Sequence, residues 1–194
     1  QTADGALWVA TETGLYRFDG VRFQRMQVDR PDLPLDNVSA LAATPDGGLW
    51  IGRNFGGVYL WKDGRFTAEG LANGLPAERS VRTLAMGADG RLWAGTTDGV
   101  FVREQSRWRS IHQALGHPGG YVYDMIVDPN HTLWMTGSAG VYSLPRGESR
   151  ARRHGDADSM SYVAANREGA GWLSTLPDAG GELRPIGAAS PRSK

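Results

Sequence analysis

The residues of this 194-residue chain best suited to metal binding or proton transfer are its histidines: His112, His117, His131 and His154. They lack the close, paired spacing that metal sites use, so no metal is expected. His131 reads as an exposed turn residue, and His112 and His117 fall in one long connection, 111–120. There are no cysteines, which excludes disulfides, thiolate metal sites and thiol nucleophiles. Asp156-Ala157-Asp158 opens with the rhythm of a calcium loop, but no glycine or closing glutamate follows. Gly137-Ser138-Ala139-Gly140 lacks the spacing of a nucleophile elbow, and no Gly-Lys-Ser/Thr phosphate loop occurs. Arg150-Ala151-Arg152-Arg153-His154 is a short basic run that reads as a solvated edge or loop. Because 21 Lys+Arg balance 21 Asp+Glu, no polyanion-binding surface, and hence no nucleic-acid partner, is expected. The side chains point to no catalytic constellation and to no cofactor.

The informative residues are instead glycine and tryptophan, 27 and seven of them. That is about twice the usual glycine share of roughly 7 %. Five tryptophans, Trp8, Trp50, Trp93, Trp134 and Trp172, follow turn signals at spacings of 42, 43, 41 and 38 residues. The text around them repeats: ADGALWVATETGLYRF, PDGGLWIGRNFGGVYLW, ADGRLWAGTTDGVFV and PNHTLWMTGSAGVYSL, with a degraded REGAGWLST. Asp-Gly between β-rich runs is a hairpin signal, because these residues tolerate positive φ. In the fourth copy Asn130 is expected to take the left-handed position. A second glycine turn leads to Val-Tyr/Phe runs, and a polar strand follows at Arg22–Gln24, Arg65–Thr67 and Arg107–Arg109.

Four antiparallel strands per unit of about 42 residues predict an all-β chain of β-propeller blades. About four and a half repeats are expected, with blades near 1–28, 37–68, 80–110, 120–154 and 160–175 and an irregular tail or incomplete blade at 176–194. The first copy starts at its turn and the last lacks strands, so the chain reads as an open arc of a larger ring. An arc exposes apolar edges, and self-association, as in a homodimer, is expected. The missing initiator Met suggests a piece of a longer chain, and no membrane span or targeting segment is visible.

The unit resembles the two-component regulator propeller repeat, best at Asp46-Gly47-Gly48-Leu49-Trp50-Ile51-Gly52 and Asp89-Gly90-Arg91-Leu92-Trp93-Ala94-Gly95-Thr96. The resemblance covers residues 4–144 well and 160–175 weakly. It implies a non-catalytic, ligand-sensing segment of a periplasmic receptor. Propellers of this kind are seven-bladed and feed membrane-attached histidine kinase or diguanylate cyclase modules. The alternatives are a propeller lyase resembling the streptogramin lyase group and a protein-interaction scaffold.

The repeat tryptophans read as core between blades, and so, by a smaller margin, do Trp61 and Trp108. Ligand contacts are expected where the copies differ: the turns between second and third strands, and the connections between blades. From these we single out Arg53, Asn54, Phe55, Arg79, Asp98 and Tyr121. Their mixture of guanidinium, amide and aromatic groups suits a polar small molecule or an oligosaccharide. The remaining blades and signalling modules of the parent chain are the other expected partners.

Overall fold

The computed structural model describes residues 1–28, 33–69, 73–76, 79–87, 89–155, 162–165, 171–174 and 183–186. Its strands form five antiparallel sheets, each a meander in which a strand pairs with its chain neighbours. The first sheet holds β1 (Leu7–Thr11), β2 (Gly14–Phe18) and β3 (Phe23–Arg25). The second holds β4 (Val38–Ala43), β5 (Leu49–Arg53), β6 (Val58–Lys62) and β7 (Arg65–Glu69). The third holds β8 (Val81–Met86), β9 (Leu92–Thr96), β10 (Gly99–Glu104) and β11 (Arg107–Ser110). The fourth holds β12 (Val122–Val127), β13 (Leu133–Gly137), β14 (Gly140–Leu144) and β15 (Arg152–Gly155). The fifth holds β16 (Tyr162–Ala165), β17 (Gly171–Ser174) and β18 (Leu183–Ile186). The stretch 176–194 therefore contains a strand, β18, which pairs with β17 beyond the expected limit at residue 175. Asp156-Ala157-Asp158 lies outside the described residues.

The same turn recurs before each tryptophan strand. Thr2 N donates to Ala6 O, Thr44 N to Gly48 O, Gly87 N to Arg91 O and Asp128 N to Thr132 O. Inside each, Gly5, Gly47, Gly90 and His131 donate back to the residue three before them. The glycines sit at φ of 83°, 86° and 78°. In the fourth copy the left-handed residue is His131, at φ 62°, and not Asn130 as the sequence suggested. Asn130 takes the place of the turn aspartate, so the imidazole carries the backbone strain that glycine avoids elsewhere.

Tryptophan burial holds the sheets together. Trp8, Trp50, Trp93 and Trp134 are buried and Trp172 is half-buried. Trp50 packs with Val81, Leu84 and Phe101 of the third sheet, and Trp93 with Val122, Met125 and Tyr142 of the fourth. Each such ring contributes roughly 4–6 kcal/mol of gross hydrophobic stabilisation. Trp108 is buried in the same core as Trp50, and Trp61 lies 4.8 Å from the Trp8 ring. The indole N–H is satisfied from the preceding turn in two copies, Trp8 on Thr2 Oγ1 and Trp134 on Asp128 Oδ2, both at 2.9 Å.

The glycine two residues after the tryptophan has a steric reason. A Cβ on Gly52 would lie 2.7 Å from Val81 Cγ1, and one on Gly95 would lie 2.6 Å from Val122 Cγ1. The next sheet thus inserts a valine directly over each glycine. The first strands β4, β8, β12 and β16 consequently stand side by side.

The first sheet has no such neighbour on its outer face. Leu7 is 44 % exposed, whereas Leu49, Leu92 and Leu133 at the same repeat position are 1 %, 2 % and 3 % exposed. The described residues are an open arc of propeller blades. No helix in them is long and apolar enough to cross a membrane.

Candidate functional site

A meander of four strands has two ends, so the arc has two rims. One carries the repeated turns before the tryptophans. The other carries the turns between second and third strands and the connections between sheets. On this second rim, a common hydrogen bond fastens each sheet. Asn54 N donates to Asn37 O at 3.0 Å, Thr97 N to Ser80 O at 3.3 Å and Ser138 N to Tyr121 O at 2.8 Å. The frame repeats while the side chains mounted on it do not.

All six expected contact residues lie on this rim, but in different roles. Arg53, at the end of β5, is turned inward and buried, which removes it from the exposed set. Its Nε donates to Asp36 O at 2.8 Å, one Nη bonds Asp36 Oδ1 at 2.5 Å and the other Tyr59 Oη at 3.3 Å. Those bonds tie the 33–37 connection to the second sheet. The guanidinium also passes over Gly56, where a Cβ would push it aside. Sequence spacing could not reveal this partner, because Asp36 is 17 residues away.

Asn54 and Phe55 form the turn tip. Phe55 holds φ 56° and is 74 % exposed. A left-handed aromatic residue is strained, and an exposed ring leaves that strain without compensation from burial. The Asn54 Oδ1 atom is buried with no partner among the described residues. In the third sheet, Arg79 Nη2 pairs with Asp98 Oδ2 at 3.3 Å, both half in solvent. In the fourth, exposed Tyr121 stands 5.9 Å from the Tyr123 ring. Arg79 and Asp98 are thus brought together, and Asn54 and Phe55 are adjacent. Arg53 faces away from both groups.

Two further features of this rim were not expected from sequence. An open cleft of about 650 Å³ lies beside Gly14, Arg25, Met26, Leu33 and Asp36. The connection 111–121 contains His117, which is fully buried against the Tyr142 ring at 4.6 Å. Gly119 N donates to its Nδ1 at 3.1 Å. Burial, helped by the positive charge His112 can carry, lowers the His117 pKa to about 4. His117 is therefore neutral at physiological pH and holds the loop that presents Tyr121.

On the opposite rim the turn carboxylates are held by neighbouring side chains, and an open cleft of about 470 Å³ lies at its first-sheet end beside Asp4, Leu7, Arg17 and Asp19. Lys62 and Thr44 hydrogen bonds lower the Asp46 pKa to about 2, and Thr2 and Arg17 do the same for Asp4. These carboxylates serve the turns. The one hollow described between the third and fourth sheets there, beside Arg91 and His131, measures about 30 Å³, room for about one water. His154 sits apart in β15, hydrogen-bonded to Ser143 Oγ at 2.7 Å and lowered in pKa mainly by burial. Among the described residues no three His, Cys, Asp or Glu side chains gather as metal ligands.

Meandering sheets whose first strands stand side by side define a β-propeller, here an arc of one. Residues 74–98 match the family described as "Two component regulator propeller", so the chain carries that repeat. No curated protein matches the sequence. Among solved structures, the chain is similar to the extracellular domain assigned to a hybrid two component system of B. thetaiotaomicron. The TM-score is 0.77 at 15 % identity, over 97 % of this chain and 27 % of that one. A domain assigned to a one component system of the same organism gives 0.74 at 16 % identity, over 96 % and 26 %. Virginiamycin B lyase from Staphylococcus aureus gives 0.66 at 16 % identity, over 97 % and 69 %. The chain spans about a quarter of the two extracellular domains. At these identities the likeness is one of fold.

Proposed function

We propose that this chain is a ligand-sensing segment of an extracytoplasmic propeller in bacterial two-component signalling, with no catalysis of its own. Its ligand is a polar small molecule or an oligosaccharide, and the variable rim is where it binds. The observation that carries this reading is Phe55: a strained, exposed aromatic residue on a rim whose backbone frame repeats from sheet to sheet. Residues held in strained backbone conformations cluster at ligand-binding and switch surfaces. The repeat at 74–98 and the likeness to extracellular domains of one and two component systems support the class. Binding on the rim would favour one arrangement of the blades over another and so pass to kinase or cyclase modules of the parent protein.

The test is a thermal-shift titration of the full chain against a panel of neutral and acidic oligosaccharides. A saturable rise in Tm with one sugar class, lost in Phe55→Ala, is the expected result. No rise with any sugar, together with capture of a protein partner, would assign the chain to a scaffold. The likeness to virginiamycin B lyase makes cleavage of a streptogramin the third outcome, and that would overturn the non-catalytic reading.

A further inference from the structure

Three successive first strands each contain one residue that opposes nothing. In β4, Val38 faces Arg53 and Ala40 faces Gly52, so Ser39 is skipped. In β8, Arg82 is skipped between Val81 and Thr83, and in β12, Tyr123 between Val122 and Asp124. Such bulges re-aim a side chain and are over-represented beside binding sites. Here the residues on either side are committed to neighbouring sheets. Val81 and Val122 cover Gly52 and Gly95 of the preceding sheets. Thr83 Oγ1 accepts from Met125 N at 3.2 Å and Asp124 Oδ2 from Val163 N at 3.0 Å, both toward the following sheet. Arg82 and Tyr123 thereby occupy matching positions on the adjacent first strands β8 and β12, at their variable-rim ends.

Ser39 spends its hydroxyl on Val81 O at 2.5 Å, a bond between sheets. Arg82 and Tyr123 have no such task. The Arg82 Nε is buried without a hydrogen-bond partner, and the guanidinium makes no ion pair among the described residues. Eight other arginines of the described chain are paired with carboxylates. A buried N–H on a cation is costly until an acceptor arrives. One sheet further round, the Tyr123 ring stands 5.9 Å from that of exposed Tyr121, giving a pair of aromatic faces.

We propose that Arg82 and the Tyr121–Tyr123 pair form a subsite for a carboxylate-bearing sugar, a uronic acid residue of an oligosaccharide. The guanidinium fork matches a carboxylate in two parallel hydrogen bonds. The tyrosine rings offer an apolar surface to the sugar C–H face and hydroxyls to its edge. The Arg79–Asp98 pair borders the same rim and supplies donors and acceptors for neutral hydroxyls. This assignment rests on the sensing role proposed above and names its ligand class.

The experiment is calorimetric titration of the full chain with trigalacturonate and with neutral galactotriose. The uronate is expected to bind, and the neutral sugar to bind about tenfold more weakly or less. Arg82→Gln should weaken uronate binding by about tenfold or more and erase the preference, with Arg82→Lys intermediate. Tyr123→Ala should weaken both sugars, which guards against an Arg82 variant that fails to fold. Uronate affinity unchanged in Arg82→Gln and in Tyr123→Ala would overturn the assignment, as would equal affinity for the two sugars or no uronate binding. If the neutral sugar binds and the uronate does not, sensing stands and the uronate subsite falls. If neither binds and the whole oligosaccharide panel gives no thermal shift, sensing falls with it.

Discussion

The two rims of the arc are built from the same strands and differ in which side chains their strained positions carry. On the turn rim, four turns share one hydrogen-bond pattern, and three of the four put glycine where φ is positive. Carboxylates there, such as Asp46 on Lys62 of β6 and Thr44 of the turn, are satisfied by neighbouring side chains. On the variable rim a phenylalanine takes positive φ, Asn54 Oδ1 and Arg82 Nε are buried without partners, and each first strand of the complete sheets bulges. A repeat fold constrains both rims equally in backbone. The turn rim has strain of its own, at Asp63, Gln105, Ser106 and His131, and Arg17 Nε and Trp108 Nε1 are buried without partners too. What sets the variable rim apart is that one of its strained residues carries an exposed aromatic ring, Phe55.

The largest effect expected from this contrast is a pH dependence that belongs to the variable rim. The His117 pKa is lowered from 6.5 to about 4 in the folded chain. Above both values the ring is neutral folded or unfolded and contributes no pH dependence. Between them the unfolded chain binds a proton that the folded chain does not, so stability falls as pH falls. The loss is roughly 3 kcal/mol once pH drops below the folded value. Chemical denaturation at pH 7 and pH 4.5 should show this fall, and His117→Gln should shrink it. An equal fall in the variant would shift the cause to other groups.

Next in size is Asp128→Ala on the turn rim. It removes the acceptor for the Trp134 indole and for Thr132 N. A buried donor left unsatisfied costs about 1–3 kcal/mol, so the unfolding midpoint should fall while sugar affinity on the opposite rim stays unchanged. An affinity loss matching the stability loss would mean the rims are not separable.

Phe55→Gly should do the reverse. Relief of the left-handed strain should raise stability by up to about 1 kcal/mol, while ligand affinity drops. Stability and affinity moving in the same direction would remove the ring from the working surface. His131→Gly is the matched control on the turn rim and the smallest effect. It should add a few tenths to about 1 kcal/mol with no change in binding, read from the denaturation midpoint and the same titration.

The period, the strands and the buried tryptophans were legible in sequence because each depends on local spacing: Asp-Gly before Leu-Trp, then a glycine before Val-Tyr. The glycine two residues after Trp50 and Trp93 was legible as a repeat, but its cause was not. That cause is Val81 or Val122 in the next sheet, contacts that only the assembled arc creates. Asn130 was favoured over His131 for the left-handed position because residue preference outranked register. The turn's hydrogen bonds show that register decides. The rim itself followed from where the copies differ. Within it, Arg53 looked like a free cation because its partner, Asp36, lies in another loop. Arg82 and Tyr123 looked like ordinary strand residues because a bulge leaves no mark in alternation.

The central claim, that one rim binds ligand and the other only folds, is tested most directly by hydrogen exchange along the full chain with and without a saturating acidic oligosaccharide. The account predicts slower exchange for amides at 53–57, 97–98 and 121–124, and no change in the turns at 44–48, 89–91 and 128–132. Protection confined to those turns, or spread evenly over both rims, would contradict it.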